Sequence, residues 1–329
     1  MGQFLSNCSI DSLKVAAQAL KDGSLVAFPT ETVYGLGADA TNASAVARIY
    51  EVKGRPSDHP LIVHIGDLKY LDQWISEMPE FAIDLARAFW PGPMTLILKR
   101  SELAKDFITG GQNTVGIRIP DNSLALGLLE LFHKQGGAGI AAPSANRFGQ
   151  VSPTTAEAVI DELGDYFLDS DFVLDGGFSK VGLESTIIDC TKELPRILRP
   201  GAITIAMIEE ATGLKVMNTL NNNSSDLKND LVRVSGSLEN HYAPKAKVFL
   251  DQQPVSGSGF IALENIDTPD GAIRLAAPKS VEEFARVLYS ALREGDRLKL
   301  KEIFVEQPDG DGLAIAICDR LSRSANRNN

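Results

Sequence analysis

From residue 11 onward, apolar positions recur three and four residues apart. Leu13, Ala16, Ala17 and Leu20 fall on one helical face, and Gly23 stops that helix before the unbroken apolar run Leu25-Val26-Ala27-Phe28. The pattern predicts a helix followed by a buried strand. Asn42 offers an N-cap to a second helix with Val46, Ile49 and Tyr50 on its apolar face, and Leu61-Ile62-Val63 reads as the next strand. Helices are predicted over 80–90, 122–134 and 154–163, the last behind Ser152 or Thr154 as a cap, with extended segments at 95–98 and 115–119. Strands at 172–174, 186–189 and 196–199 follow, then a helix over 204–212. Short apolar strands interleaved with amphipathic helices define an α/β domain.

Between residues 213 and 243 the alternation fails. Asn221-Asn222-Asn223-Ser224-Ser225 stands at its centre, too polar to bury and typical of a linker. The expected organisation is a first domain over 1–213, a linker over 214–245 and a smaller α/β unit over 246–329. In that unit 248–250 and 260–262 read as strands, and Phe284, Val287, Leu288 and Ala291 line one face of a helix over 280–293. A length of 329 residues suits two domains at roughly 150 residues each.

Charge narrows the function. The net charge of -11 resides mostly in residues 1–213, at -10, and opposes a general nucleic-acid coat or an anionic-membrane binder. Any cationic site must therefore be local. Cys8, Cys190 and Cys318 include no C-x-x-C pair, so they assemble neither a disulfide framework nor a thiolate zinc site, and a cytoplasmic location is expected. No apolar run approaches the ~20 residues of a bilayer span, and no membrane contact is expected.

The chain lacks a G-x-S-x-G elbow, an H-E-x-x-H pair and a G-x-x-x-x-G-K-[ST] loop. Candidate chemistry lies instead in loops that leave predicted strands, where open α/β sheets bind ligands. One such loop, 29–37, carries hydroxyls and glycines. The loop 53–61 holds Lys53 and Arg55, and cations of this kind grip phosphate oxygens. Residues 142–155 combine Ser144, Asn146, Ser152 and Thr154 before a predicted helix, whose N-terminus favours anions, although capping alone would account for Ser152 or Thr154. Glu184-Ser185-Thr186 and Arg199 stand at further strand ends. Lys53, Arg55, Arg118 and Arg199, four cations in a strongly acidic domain, predict a local pocket for a polyanion such as a nucleotide.

P-T-E-T-V-Y-G-L-G at 29–37, K-G-R-P-S-D-H-P-L-I-V-H at 53–64, S-A-N-R-F-G-Q-V-S-P-T at 144–154 and G-L-E-S-T-I-I-D at 182–189 resemble, in this order, the motifs of the YrdC-like threonylcarbamoyl-AMP synthases. H-Y-A-P at 241–244 resembles the linker motif of their two-domain members. The resemblance implies a twisted mixed-sheet domain with a concave anion pocket and a smaller Rossmann-like α/β/α C-terminal domain. It also implies condensation of L-threonine, bicarbonate and ATP into threonylcarbamoyl-AMP and pyrophosphate, the first step toward threonylcarbamoyladenosine in tRNA. The substrates supply the nucleophile, so the protein has to hold anions and offset charge.

Carried over by motif, Thr32, His64, Arg118 and Ser185, with the backbone at Ala142, are expected around threonine. Lys53, Arg55, His59, Thr114, Ser144, Ser152 and Arg199 are expected around ATP, with Lys53, Arg55, Ser144 and Asn146 nearest the chemistry. Mg2+ is expected to arrive on the ATP phosphates near Asn146, without a dedicated side-chain cage. His59 stands where many relatives have asparagine, and both side chains donate a hydrogen bond. The linker departs further: Gly236-Ser237-Leu238-Glu239-Asn240 replaces the Gly-Met-Lys-Tyr stretch found before H-Y-A-P in many relatives. A closing lid that brings Asn240, His241 or Tyr242 to the nucleotide is expected nonetheless. A downstream tRNA threonylcarbamoyl transferase is the expected partner, and direct tRNA contact is the weaker expectation. Two other readings compete. A carbamoyl-adenylate-type transferase of hydrogenase maturation shares the fold but accompanies zinc-finger modules, which the missing C-x-x-C pairs oppose. A non-catalytic tRNA- or double-stranded-RNA-binding module would use the same cations on a phosphate backbone, against the acidic balance and the few aromatics in the basic loops.

Overall fold

The computed structural model describes residues 2–5, 9–218, 232–234, 236 and 242–326. Its first unit contains the strands β1 (Gln3–Leu5), β2 (Val26–Phe28), β3 (Gly35–Asp39), β4 (Ile62–His64), β5 (Ile75–Glu77), β6 (Met94–Arg100), β7 (Thr114–Arg118), β8 (Ile140–Ala141), β9 (Phe172–Leu174), β10 (Thr186–Asp189), β11 (Arg196–Arg199) and β12 (Met217–Asn218). They form one mixed sheet in the order β1-β9-β2-β3-β8-β4-β7-β6-β10-β11-β12, with β5 paired to β6. The helices of this unit are α1 (Ile10–Lys21), α2 (Ala43–Lys53), α3 (Glu80–Phe89), α4 (Asp106–Thr109), α5 (Ser123–Lys134), α6 (Ala156–Leu163) and α7 (Ile205–Thr212).

Period-two alternation assigns the two faces of the sheet. Ala27, Leu36, Val63, Ile117 and Ile188 point into a core built with α2, α3, α6 and α7. On the opposite face α1 and α5 cover Val26, Phe28 and Ile140, while linker residues Val232 and Val234 cover Ile62, Ile97 and Ile187. The cleft described below lies between these two covers.

The second unit has four parallel strands, β13 (Lys247–Leu250), β14 (Gly259–Ile261), β15 (Ile273–Ala276) and β16 (Glu302–Val305), in the order β13-β16-β14-β15. Helices α8 (Val281–Arg297) and α9 (Leu313–Ala325) pack on one face of that sheet through Phe284, Leu288, Ile317 and Leu321. Phe249, Phe260 and Phe304 occupy the other face beneath Ile266 and Ala272. Val33, Val151 and Leu183 of the first unit join the core of the second, so the two units share one apolar cluster.

Asn42 caps α2 as expected, its side chain accepting from the backbone N–H groups of Ser44 and Ala45. The cap of α6 differs from expectation. It is Thr155, which accepts from the Ala158 N–H; Thr154 instead offers its carbonyl to Ser179 N–H, and the Ser152 hydroxyl donates to Glu184. The last third of the loop expected at 29–37 belongs to a strand, β3, antiparallel to β2 with Val26 opposite Gly37. Gly37 is required there: a Cβ would lie 2.7 Å from Ile140 Cγ2 and 2.9 Å from the Phe28 ring.

Candidate active site

Between those covers lies a cleft lined by Thr30, Thr32, Arg55, His64, Arg118, Ala142, Ser144, Glu184, Ser185, Arg199, Gly236 and Tyr242, among others. Several sheet elements deliver these side chains together. His64 and Arg118 end the neighbouring parallel strands β4 and β7 and stand opposite each other in register. Ser185 immediately precedes β10, and Arg199 closes β11.

Each cation is held differently. Arg118 Nη2 donates to Glu31 Oε1 at 2.7 Å, a pair with both side chains buried. Arg199 turns back on the loop before β10, donating through Nη2 to the Ser185 carbonyl at 2.9 Å and to its hydroxyl at 3.1 Å. The Ser185 hydroxyl also lies 2.8 Å from that of Thr95. Arg55 donates to the Pro60 carbonyl at 3.0 Å and rests over the Phe148 ring. Burial lowers its guanidinium to about 10, against the pull of Tyr50. Burial, reinforced by the Arg118 charge, drives His64 down to about 3, so its imidazole is neutral in this cleft.

Six side chains expected around the substrates therefore meet here: Thr32, His64, Arg118 and Ser185 from the threonine set, and Arg55 and Arg199 from the ATP set. Ser144 and Ala142 line the cleft as well, although the Ala142 N–H donates to the Ile62 carbonyl within the sheet framework. Lys53 does not line it. Only 2% exposed, its ammonium donates to the Ser144 carbonyl at 2.6 Å and to the Asn146 carbonyl, so it braces the S-A-N loop from behind. Asn146 is likewise turned inward, its Nδ2 donating to the carbonyls of Arg147 and Gln150. His59 packs edge-on against Phe148, and desolvation followed by the Arg55 charge lowers its pKa. Thr114 opens β7 beside linker residues 232–234, outside the cleft. Asn240 and His241 lie outside the described residues, as does Glu239, whereas Tyr242 lines the cleft and is buried.

The sequence reading passed over two carboxylates, Glu31 and Glu184. Both stand inside motifs it quoted, P-T-E-T and G-L-E-S-T, but a carboxylate argues against an anion pocket unless its cationic partner is known. Glu184 Oε1 accepts from Ser152 Oγ at 2.6 Å, and Oε2 accepts from the Tyr289 hydroxyl and Arg320 Nε at 2.9 and 3.0 Å. Burial opposes its ionisation, but Arg320, Arg199 and the hydrogen bond from Ser152 outweigh that and hold it down at about 2.

Fold and cleft together define an α/β protein built to enclose an anionic substrate among arginines, hydroxyls and a neutral histidine. Comparison with known proteins agrees. A family model named for Sua5, YciO and YrdC and described as "Telomere recombination" matches residues 18–201, and one described as "Threonylcarbamoyl-AMP synthase, C-terminal domain" matches 203–326. The chain belongs to this family, in its two-domain form. It is 38% identical to the threonylcarbamoyl-AMP synthase of Pyrococcus abyssi over 95% of this chain and 94% of that one. To the Bacillus subtilis enzyme of the same name it is 39% identical, over 94% and 92%. The crystal structure of P. abyssi Sua5 complexed with L-threonine superposes with a TM-score of 0.86 at 37% identity, covering 99% of this chain and 97% of that one.

Proposed function

We propose that this chain is a threonylcarbamoyl-AMP synthase that condenses L-threonine, bicarbonate and ATP, releasing pyrophosphate. The observation that carries the reading is a single cleft in which Arg118, paired with Glu31, and neutral His64 stand with the hydroxyls of Thr32 and Ser185 beside Arg55 and Arg199. An amino acid carries a carboxylate, an ammonium and, in threonine, a hydroxyl. Arg118 suits the carboxylate. Glu31, whose Oε2 has no hydrogen-bond partner, suits the ammonium. At about 3, His64 is too weak a base to hold a proton and acts by orienting the substrate.

The threonine ammonium first gives up a proton to solvent. The amine nitrogen then bonds to the carbon of CO2 and releases a second proton to solvent, giving a carbamate, with bicarbonate serving as the source of CO2 by loss of water. A carbamate oxygen then bonds to the α-phosphorus of ATP as the bridging P–O bond to pyrophosphate breaks. Negative charge grows on the leaving group, and Arg55 and Arg199 are the cations placed to offset it. Lys53 contributes indirectly by fixing the Ser144 and Asn146 carbonyls. Asn146 fits a role toward phosphate-borne Mg2+, since its Oδ1 is a hard oxygen buried without a partner. When bound, the ion supplies neutralisation of phosphate charge. The product is a reactive mixed anhydride, so a transferase that passes the threonylcarbamoyl group to tRNA is the partner this chemistry calls for.

The test is pyrophosphate release from ATP and Mg2+ with threonine or bicarbonate omitted in turn. Release that requires both and disappears in Arg55→Ala supports the synthase. Release indifferent to threonine overturns it.

A further inference from the structure

The loop 144–152 is anchored from both units. Lys53 of the first unit holds its leading part through the Ser144 and Asn146 carbonyls. The second unit holds the rest: Val151 is buried in that unit's core, Arg293 on α8 donates to the Val151 carbonyl, and Gln150 forms a parallel bridge with Ala243. Between the anchors stands Asn146, 1% exposed. Its Nδ2 donates to the carbonyls of Arg147 and Gln150 at 2.7 and 2.9 Å. A carbonyl only accepts, so these two bonds allow the amide one orientation and turn Oδ1 to the other side. That oxygen is buried without a hydrogen-bond partner. One ion pair between the units brackets the two carbonyls that set it. Glu162 on α6 accepts from the Arg147 N–H through Oε1 at 3.3 Å and from Arg293 Nη1 through Oε2 at 3.1 Å, while Arg293 Nη2 reaches Val151, the residue after Gln150. Arg147 is fixed at its far end too, donating to the Val52 carbonyl at 2.6 Å with its guanidinium over the Tyr166 ring.

We infer that Arg293, paired with Glu162, is a positioning residue for the side-chain oxygen of Asn146, and through it for the Mg2+ that ATP carries. The inference deepens the synthase reading and rests on it. A guanidinium makes both contacts at once through a planar fork, Glu162 on one nitrogen and the Val151 carbonyl on the other, and so fixes the two ends of segment 147–151 against each other. Without Arg293 the Val151 carbonyl loses its donor and Glu162 its counter-charge, and the Gln150 carbonyl that orients the Asn146 amide shifts with its neighbour. Mg2+ demands near-ideal octahedral geometry, so a small swing of the amide weakens the contact. By this route helix α8 of the second unit acts on the metal end of the site through the loop of the first.

The test reads the metal's share of nucleotide binding directly. Calorimetry on the full-length protein gives the dissociation constant of α,β-methylene-ATP without and with Mg2+; the P–C–P bridge of this analogue does not break, so binding is seen without turnover. In wild type Mg2+ is expected to tighten binding about tenfold or more. In Arg293→Met that gain falls to about a fifth of its wild-type value, while the metal-free constant stays within about twofold. Arg293→Lys, which keeps the charge but not the fork, falls between. Asn146→Ala removes most of the gain, and adding Arg293→Met to it removes no more, because the arginine acts through that oxygen. In the release assay the KM for ATP at limiting Mg2+ rises about fivefold in Arg293→Met, with the KM for threonine within about twofold of wild type. An unchanged gain overturns the inference. So does a metal-free constant weakened to the same degree, or a further loss on the Asn146→Ala background, either of which marks a merely structural role. A wild type whose binding ignores Mg2+ overturns it as well. Should Arg293→Met fail to fold, Arg293→Lys and Glu162→Gln decide it by the same ratio. A wild type without threonine-dependent release overturns the synthase reading; an active wild type whose Mg2+ gain survives in the Arg293 variants overturns only the role given to Arg293.

Discussion

His64 and Glu184 give the residue scale a pH signature with two separate windows. In the unfolded chain an imidazole takes up a proton near 6.5, whereas burial beside Arg118 keeps folded His64 neutral down to about 3. The unfolded state therefore binds more protons in that interval, and stability falls as pH falls from about 6.5 toward 3, by about 1.4 kcal/mol per unit from this one group. Glu184, lowered from 4.5 to about 2, contributes stability that is complete above 4.5 and lost as pH falls through that lower window. His64→Asn is expected to flatten the dependence between pH 6.5 and 4.5, where Glu184 contributes nothing to the slope. Urea midpoints across that range check it, and identical slopes in the two proteins would sink it. Lys53 and Arg55, two residues apart, separate in another way. Lys53→Met leaves the buried Ser144 and Asn146 carbonyls without their donor and is expected to cost on the order of 2 to 4 kcal/mol of stability. Arg55→Ala relieves a desolvated charge, so stability stays within about 1 kcal/mol while pyrophosphate release is lost. Melting curves and the release assay on both variants distinguish brace from ligand contact.

At the scale of the element, legibility followed how local the cause was. Asn42 was readable as a cap because cap chemistry operates within three residues, and Asn42→Ala is expected to lower stability by about 1 kcal/mol and leave both KM values unchanged. Denaturant titration beside the kinetic assay tests this. Strands 172–174, 186–189 and 196–199 were readable from apolar runs and coincide with β9, β10 and β11. Strand β3 was not, since Gly35-Leu36-Gly37 has turn composition and is extended through its pairing with β2 and β8, where the missing Cβ of Gly37 leaves room for Phe28 and Ile140. Strands β15 and β16 and helix α9 were also missed, their weak patterns being completed by packing on β14 and α8. The same division runs through the cleft. Motifs disclosed Arg55, His64 and Ser185, and the scarcity of cations in an acidic domain pointed to Arg118 and Arg199, but Glu184 makes sense only beside Arg320, 136 positions away. Whether Lys53 faces ligand or loop is likewise a matter of tertiary direction, which spacing does not encode.

For the whole molecule, the shared apolar cluster decides whether two units behave as two. Interfaces between domains of one chain usually permit independent motion unless they are large and apolar. Here Val33, Val151 and Leu183 are buried in the core of the second unit, and the Glu184–Arg320 pair is buried with them. Separating the units would expose those side chains and strand two charges, so the chain is expected to unfold in a single cooperative step. Its two tryptophans, Trp74 and Trp90, both belong to the core of the first unit, so tryptophan fluorescence reports that unit alone while far-ultraviolet circular dichroism reports both. In wild type the two urea transitions should coincide. Leu183→Ala removes a fully buried side chain from the shared cluster, a change that costs about 2 to 5 kcal/mol. Its loss weakens the second unit's attachment without touching the tryptophan core, so the dichroism transition should move to lower urea than the fluorescence transition. Transitions that already separate in wild type would mean that the interface does not couple the units, and the cleft would then be completed only when substrate draws them together.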